Sequence, residues 1–359
     1  MSPRLTIAIP TYGRPQSLAH TVAILLPQLT RETELLILDN HSPLPAQDIL
    51  AELFSQFPQA PCRIVRHRVN VGGNINILRC LEYAEGTWVW TLGDDDQPAD
   101  DAVVQIFSAI DEYRDADHIN FCTSIQPSRT AYRASNLDEY LDRCDSLSNA
   151  LFISSNIYRR EQFVRYLPAA LELSGTNMGQ LVVLFAALNE HHVSVSTRRF
   201  LIHWKVAPIE QRWPQFVFFH FLELAQVFPT WKHQRKFFNL LAFAESHCKP
   251  GRLLRWAMLS QYTRPDSPSA LLFLARGAHL RAMLHPRLIN RCHWRLIAYA
   301  AGLLHRFQPA FICIWRVWHR IRHNQPLCPS PLSDGFFGNH SHLKSPHPTR
   351  SRQSVSTDL

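Results

Sequence analysis

The sequence lacks the signatures of several common protein classes. Its eight cysteines form no CxxC pair and no Cys/His spacing of the zinc type, so we expect reduced thiols rather than a structural metal or a disulfide framework. It contains neither GxGxxG nor GxxxxGKS/T, which counts against a dinucleotide-binding fingerprint and a P-loop.

Long apolar segments are also missing. No uncharged run approaches the roughly 20 residues that a bilayer-spanning helix needs. The N-terminal stretch MSPRLTIAIPTYGR does not resemble a signal peptide, because two prolines and Arg14 cut its apolar run short. We therefore expect a cytoplasmic chain that is neither exported by a standard signal nor integral to a membrane.

The formal net charge of +8 conceals two oppositely charged regions. Residues 1–196 contain 14 Lys and Arg against 23 Asp and Glu, whereas residues 197–325 contain 20 against 4. With 46% hydrophobic residues among 359, the chain is expected to be globular. The opposed charges predict two functional surfaces.

Strand and helix patterns alternate in the first part of the chain. Short apolar runs rich in β-branched residues predict strands, and amphipathic segments between them predict helices. The strands are predicted at 5–10, 34–40, 62–67 and 87–92, and the helices at 15–29, 48–57, within 70–86, and from about Pro98. This alternation predicts an α/β fold with a mostly parallel, Rossmann-like sheet flanked by helices, followed by a helical C-terminal region.

Polar side chains follow each of the four predicted strands. In such sheets ligands bind outside the carboxyl ends of the strands, so these residues are expected to share one ligand-binding edge. They are Thr11 and Tyr12 after the first strand, Asp39 and Asn40 after the second, residues 70–74 after the third, and Asp94, Asp95 and Asp96 after the fourth. Turns are polar in general, but that explanation covers any one group more easily than all four.

Three consecutive aspartates end the segment WVWTLGDDD. One aspartate would suffice to cap a following helix, whereas three beside a strand end favour a hard divalent cation, Mg2+ or Mn2+. Such an ion would neutralise a diphosphate. The predicted metal ligands are therefore Asp94, Asp95 and Asp96.

Two further features of this edge are weaker signals. Arg14 follows the first strand, where it is equally well explained as a phosphate ligand and as a solvated surface residue. Gly72 and Gly73 open a helix in the segment NVGGN, which would let backbone N–H groups approach a ligand. Glycine is common before helices, so this pattern alone is not specific.

Four segments taken together resemble the nucleotide-sugar-dependent glycosyltransferases of family 2, which have the GT-A fold. They are LTIAIPTYGRPQSL, LLILDNHS, NVGGNINILRCLEYAEGTWVWTLGDDD and LFISSNIYRREQF. The similarity spans roughly residues 4–200 in the order and spacing of the family. The LGDDD and SSNIYRR segments look most like the branch that builds bacterial O-antigen and other surface polysaccharides, including abequosyltransferase-like enzymes.

The resemblance implies roles for individual residues. Those expected to line the nucleotide site are Thr11, Tyr12 and Arg14, with Asp39 meeting the base and Asn70, Gly72 and Gly73 bordering the nucleotide. The three aspartates take the place of the metal-binding Asp-x-Asp of the family. In the commonest family register the first aspartate falls on Gly93, so the coordinating residues are either Asp94 with Asp96 or Asp95 alone.

The catalytic base is the least defined part of the resemblance. An inverting family member uses a carboxylate to deprotonate the acceptor hydroxyl, and usually places it just before a helix. The corresponding segment LELSGTNMGQLVVLF has no acid immediately before its helix. Glu172 is the nearest candidate, although a surface glutamate at a helix end explains it as well. Asp100 and Asp101 are expected to be acids of a helix start.

From about residue 205 the sequence becomes helical, aromatic and cationic. Packing of a helical subdomain explains much of this pattern. The segment 293–324 also combines tryptophans with arginines, as does a helix lying on an anionic membrane surface. Nucleic acid would suit the charge but no recognised module is present, so we expect no nucleic-acid partner.

We expect three regions, a GT-A nucleotide-sugar-binding domain over 1–204, a basic helical region over 205–325, and a disordered tail over 326–359. The predicted function is metal-dependent, inverting transfer of a sugar from a nucleotide-diphosphate-sugar donor to a glycan acceptor carried by a polyprenyl-diphosphate lipid. Peripheral attachment to the inner face of the cell membrane would suit that acceptor. The alternatives are a sugar-phosphate nucleotidyltransferase, and a non-catalytic glycan- or lipid-binding protein that kept the fold.

Overall fold

The computed structural model describes residues 2–124, 129–144, 147–203, 224, 227–244, 278 and 288–307. The strands are β1 (Leu5–Thr11), β2 (Thr33–Asp39), β3 (Cys62–Arg66), β4 (Trp88–Thr91), β5 (Gln97–Pro98), β6 (His118–Thr123), β7 (Tyr132–Ala134), β8 (Asn156–Arg159) and β9 (Ser194–His203). The helices are α1 (Pro15–Leu25), α2 (Ala46–Gln56), α3 (Gly73–Tyr83), α4 (Ala102–Glu112), α5 (Leu137–Arg143), α6 (Ser148–Leu151), α7 (Arg160–Val164), α8 (Leu167–Glu172), α9 (Gly179–Asn189), α10 (Trp231–Ala244) and α11 (Leu288–Arg306).

Strands β3, β2, β1 and β4 lie side by side in that order and run parallel. Their side chains alternate between two buried layers, as the pleat requires. On one face Ile7 and Trp90 pack with α1, α2 and α4, and on the other Ala8 and Val89 pack with α3 and α9. Strands β1, β2 and β4 are buried on both faces and so have no polar side, which is why their central residues are mostly apolar.

The second half of the sheet is mixed. Strand β8 runs antiparallel between β4 and β6, whereas β9 runs parallel to β6. The short strands β5 and β7 both pair antiparallel with β9. The predicted α/β fold with a flanked sheet is confirmed, and its parallel portion is the part that the sequence pattern had located.

The helix predicted from about Pro98 is wrong at its start. Gln97 and Pro98 instead pair with His203 and Ile202 of β9, and α4 begins only at Ala102. Proline lacks an N–H group and suits the end of a sheet, where β5 lies. Asp100 and Asp101 therefore precede α4 and are not in its first turn.

The basic region packs partly against the acidic one. In α10, Lys236 Nζ donates to Asp138 Oδ1 of α5 at 2.6 Å and to Asp142 Oδ2 at 2.7 Å. Phe237 of the same helix is fully buried among Phe185 and neighbouring rings. Part of the opposed charge found in the sequence is thus used inside the fold rather than on separate surfaces.

Several sequence predictions fall on residues that the structure does not describe. They include the domain boundaries at 204/205 and 325/326, the tail over 326–359, and the aromatic and basic residues of 308–325. Among the helices of the described residues, none is both long and apolar enough to cross a membrane.

Candidate functional site

The carboxyl ends of the four parallel strands meet at one edge of the sheet. Asn40 N–H donates to Thr11 O at 2.9 Å, and His67 N–H donates to Asp39 O at 2.9 Å, so backbone bonds continue past the strand ends. Thr11 Oγ1 donates to Asp94 Oδ2 at 2.7 Å, which joins the end of β1 to the loop after β4. The structure therefore brings together the polar groups that follow all four strands.

Arg14 lies between two of the three aspartates. Its Nη1 donates to Asp94 Oδ1 at 2.9 Å and to Asp95 Oδ2 at 2.8 Å. Burial lowers the pKa of Arg14, but the charges of Asp94 and Asp95 outweigh burial and raise it overall. The guanidinium is 37% exposed, and its Nε and Nη2 have no partner among the described residues. The positive charge of Arg14 thus reduces the repulsion within the acidic cluster, while its remaining N–H groups can donate to a ligand.

Asp94 and Asp96 are buried, and burial raises the pKa of both carboxyl groups. The pKa of Asp94 rises to about 6 even though Arg14 and Thr11 favour its ionised form. The pKa of Asp96 rises to about 7 because burial and the neighbouring aspartates outweigh its hydrogen bond from Ser154. Asp95 is the exposed member of the cluster.

Asp96 is held by Ser154 rather than by Arg14. Ser154 Oγ donates to Asp96 Oδ2, and Gly93 N–H donates to Ser154 Oγ at 2.8 Å. A Cβ atom at Gly93 would lie 2.5 Å from Asp96 Oδ2, so only glycine leaves room for this turn. The glycine that departs from the commonest family register is therefore the residue that lets Asp96 fold back.

As they lie in this structure, the aspartates are not arranged as a set of metal ligands. Among the described residues, no three Asp, Glu, His or Cys side chains are arranged to hold a metal ion. Arg14 already occupies the position between Asp94 and Asp95, and Asp96 faces Ser154. The metal-binding role of the three residues remains a prediction.

Asp39 is fully buried at the end of β2. It accepts hydrogen bonds from Ser42 N–H at 2.8 Å, from Ala46 N–H at 3.1 Å and from Arg66 Nη1 at 2.5 Å. Burial raises the pKa of Asp39, but the donated bonds outweigh it and lower the pKa. Arg66 is exposed, so it presents its guanidinium beside Asp39 at the strand edge. The contact of Asp39 with a base remains a prediction.

Hydrogen bonds of two asparagines hold the NVGG loop next to the end of β2. Asn40 Nδ2 donates to Asn70 Oδ1 at 2.7 Å, and Asn40 Oδ1 accepts from Val71 N–H at 2.9 Å. Gly72 has a φ of 89°, a conformation that favours glycine. Gly73 has no such requirement and is exposed at the start of α3. The loop holds the start of α3 at the same edge as Thr11 and Asp39.

The family model for glycosyl transferase family 2 matches residues 6–186, about half of the chain. The chain belongs to glycosyltransferase family 2. Its sheet edge is therefore the candidate active site of a glycosyltransferase. No curated protein matches the sequence of this family member.

Solved structures share the fold of this glycosyltransferase. S. aureus TarS 1–349 in complex with UDP superposes with a TM-score of 0.53 at 14% identity, covering 84% of this chain and 91% of that one. The complex of the same TarS fragment with UDP-GlcNAc gives a TM-score of 0.52 at 14% identity, with the same coverage of 84% and 91%. At this identity the similarity shows the GT-A fold alone.

Glu172, the predicted base of the glycosyltransferase, is exposed at the last residue of α8. The chain then passes through a single 3-10 turn and Asn177, whose φ is 59°, before α9 begins at Gly179. Asn74 Nδ2 donates to Asn177 Oδ1, which ties this segment to the start of α3. The role of Glu172 as the catalytic base remains a prediction.

Sequence reasoning missed several residues that shape this glycosyltransferase site. They are Thr21, which donates to the carbonyls of Asp94 and Asp96, Arg66, which donates to Asp39, and Ser154, which donates to Asp96. Each acts on a residue at least 27 positions away in the chain. Arg66 lies in a predicted strand and Ser154 in the SSNIYRR segment of the resemblance, but neither pattern indicated their partners.

Proposed function

We propose that this glycosyltransferase transfers a sugar from a nucleoside-diphosphate sugar to a glycan acceptor. The observation that carries the proposal is Arg14, whose Nε and Nη2 remain available at the carboxyl edge while Nη1 holds Asp94 and Asp95. A guanidinium is well suited to the oxygens of a diphosphate. The family match and the parallel strands that end at this edge of the sheet support the proposal.

The nucleotide lies across the ends of β1, β2 and β3 in this proposal. The residues that line it are those predicted from the family, Thr11, Tyr12, Arg14, Asp39, Asn70, Gly72 and Gly73, with Arg66 added beside Asp39. The structural relatives bound to UDP and to UDP-GlcNAc support a donor of this chemical class. Backbone N–H groups at the start of α3 suit the negative charge of the diphosphate.

The transfer inverts the anomeric carbon. An acceptor hydroxyl oxygen attacks that carbon, its proton passes to a carboxylate, and the bond to the diphosphate oxygen breaks on the opposite face. Arg14 stabilises the negative charge that develops on the leaving diphosphate. Glu172 is proposed as the carboxylate, since the segment 173–189 contains no other acid. NMR assignment of the product linkage checks inversion, and a Glu172→Gln variant with unchanged kcat would remove Glu172 from the mechanism.

The finer identity follows only from the resemblance of LGDDD and SSNIYRR to enzymes of surface-polysaccharide synthesis. We propose a polyprenyl-diphosphate-linked glycan as acceptor, in bacterial O-antigen or related synthesis. A lipid-linked acceptor would place the reaction at the cytoplasmic face of the cell membrane. Lipid-linked and free glycans as acceptors in parallel assays test this part separately from the donor.

A panel of nucleotide sugars, assayed for transfer and hydrolysis with and without Mn2+, tests the proposal. We expect turnover of one donor, and the arm without Mn2+ tests the predicted Mg2+ or Mn2+ requirement. Formation of a nucleotide sugar from a sugar phosphate and a nucleoside triphosphate would indicate a nucleotidyltransferase instead. Binding of a donor without any turnover would indicate a non-catalytic binding protein.

A further inference from the structure

Helix α11 carries large apolar side chains on its outer face. Leu296, Tyr299, Leu303 and Phe307 are 69%, 73%, 46% and 53% exposed. They recur every three or four residues and so lie along one side of the helix. On the opposite side Trp294 and Ala301 are buried. Both the face of the helix that packs against the protein and the exposed face are therefore apolar. This is unusual for a helix that faces water.

The charged side chains of this segment are all cationic. Arg295 and Arg306 are exposed and directly precede Leu296 and Phe307 in the chain. Segment 288–307 contains no Asp or Glu, and the sequence has no acid at all between Asp266 and Asp334. The apolar stripe is thus bordered by cations with no acidic residue of its own segment beside them.

A comparison with α10 shows that this is not general for the basic region. The cations of α10 are used internally, since Lys236 binds Asp138 and Asp142 of α5. Its buried Phe237 enters the core. By contrast, α11 combines exposed arginines with exposed apolar side chains, and both features call for an external partner.

We propose that the outer face of α11, defined by Leu296, Tyr299, Leu303 and Phe307, docks on an anionic lipid bilayer surface. The helix lies in the plane of the interface, with these side chains at the depth of the headgroups and acyl boundary. Arg295 and Arg306 attract the anionic headgroups. No helix of the described residues spans a membrane, so docking along the surface is the geometry that α11 offers. This inference does not depend on the proposed transfer.

Co-sedimentation of the full chain with vesicles tests the inference. Vesicles of phosphatidylcholine alone are compared with vesicles that also contain phosphatidylglycerol. We expect binding to the anionic vesicles that is about tenfold tighter than to the neutral ones and weakens with added salt. Equal binding to both, or binding to neither, would overturn the inference.

Three variants assign the binding to the outer face of α11. The Leu296→Ser/Leu303→Ser double variant should bind anionic vesicles at least about tenfold more weakly. Arg295→Gln/Arg306→Gln should weaken binding and reduce its salt dependence. Trp231→Ser on α10, which removes another exposed aromatic side chain, should bind as the wild type does.

Because all of these positions are exposed, unchanged circular dichroism melting is expected for each variant. If the serine pair binds vesicles unchanged, the inference is wrong. It is also wrong if that pair only converts a dimer to a monomer in gel filtration, since a second copy then covers the stripe. Nucleotide binding measured on the same preparations reports on the donor site independently.

Discussion

Two strand ends on either side of β1 in this glycosyltransferase carry buried aspartates paired with arginines, but their environments differ. Asp39 accepts two backbone N–H groups as well as Arg66, and its pKa is lowered. Asp94 and Asp96 are buried with fewer donors, and burial raises their pKa to about 6 and about 7. The same residue type is thus fully compensated after β2 and only partly compensated after β4.

The difference separates a carboxylate whose charge is compensated within the fold from a cluster whose charge is only partly compensated. Asp39 joins the end of β2 to the start of α2 and to β3, so its charge is used within the fold. Among the residues that the structure describes, Arg14 alone forms ion pairs with the cluster after β4, which keeps an excess of negative charge. Incompletely compensated charge of this kind is typical of sites that bind a charged ligand.

The largest expected effect on stability is that of replacing Asp39. Asp39→Asn leaves Arg66 without its carboxylate and weakens the bonds from Ser42 and Ala46. We expect the free energy of unfolding to fall by about 3 kcal/mol, measured by urea denaturation. Asp101→Asn, at an exposed position before α4, serves as the control and should change it by less than about 0.5 kcal/mol.

The second prediction concerns the pH dependence that Asp96 contributes. Its ordinary pKa of 3.8 rises to about 7 in the folded state, so between these values the folded chain keeps a proton that the unfolded chain has lost. Stability therefore falls as pH rises through this range, and the whole cost is present above about pH 7.

Asp96→Asn removes this titration, so the variant should gain stability relative to the wild type as pH rises. The gain should reach on the order of 2 kcal/mol in thermal or urea unfolding. A difference that stays constant from pH 4 to pH 8 would show that Asp96 is ionised in both states.

The third prediction concerns sugar transfer. Asp95 is the exposed carboxylate that helps to fix Arg14, so Asp95→Asn should lower kcat/KM by more than about tenfold. Asp96→Asn should lower it by a similar factor, because Asp96 shapes the turn with Ser154. Asp101→Asn should have little effect. Equal and mild losses in all three variants would reduce the segment to an ordinary polar turn.

The smallest effect concerns Mn2+. Arg14 occupies the position between Asp94 and Asp95, so Arg14→Gln should tighten Mn2+ binding by about fivefold. Titration followed by electron paramagnetic resonance measures free Mn2+ without any need for turnover. Adding Asp95→Asn to the same variant should reverse the gain. Unchanged or weaker Mn2+ binding by Arg14→Gln would place any metal elsewhere.

The parallel half of the fold was predictable because its signal is local. Strands β1, β2 and β4 are mostly apolar segments followed by polar residues, and the structure places β1 and β2 within a residue of the predicted bounds. The edge that gathers Thr11, Asp39 and Asp94 follows from the rule that parallel strands share a carboxyl end.

The contacts within the site were not predictable from one sequence. Arg14 meets Asp94 across 80 positions, and Ser154 meets Asp96 across 58. The start of α4 was misplaced for the same reason, since β5 forms only by pairing with His203 and Ile202 of the distant β9. Pairings of this kind depend on the folded sheet, whereas composition and periodicity report only on neighbours in the chain.

Calorimetric titration of nucleoside diphosphates tests whether Arg14 binds the diphosphate of the donor. UDP, GDP, CDP and dTDP are titrated into the wild type, Arg14→Gln and Arg31→Gln, the last being an exposed control, without added metal. We expect one of these diphosphates to bind the wild type and Arg31→Gln with equal affinity, and to bind Arg14→Gln at least about tenfold more weakly. Binding of none of them, or equal binding by Arg14→Gln, would contradict this expectation.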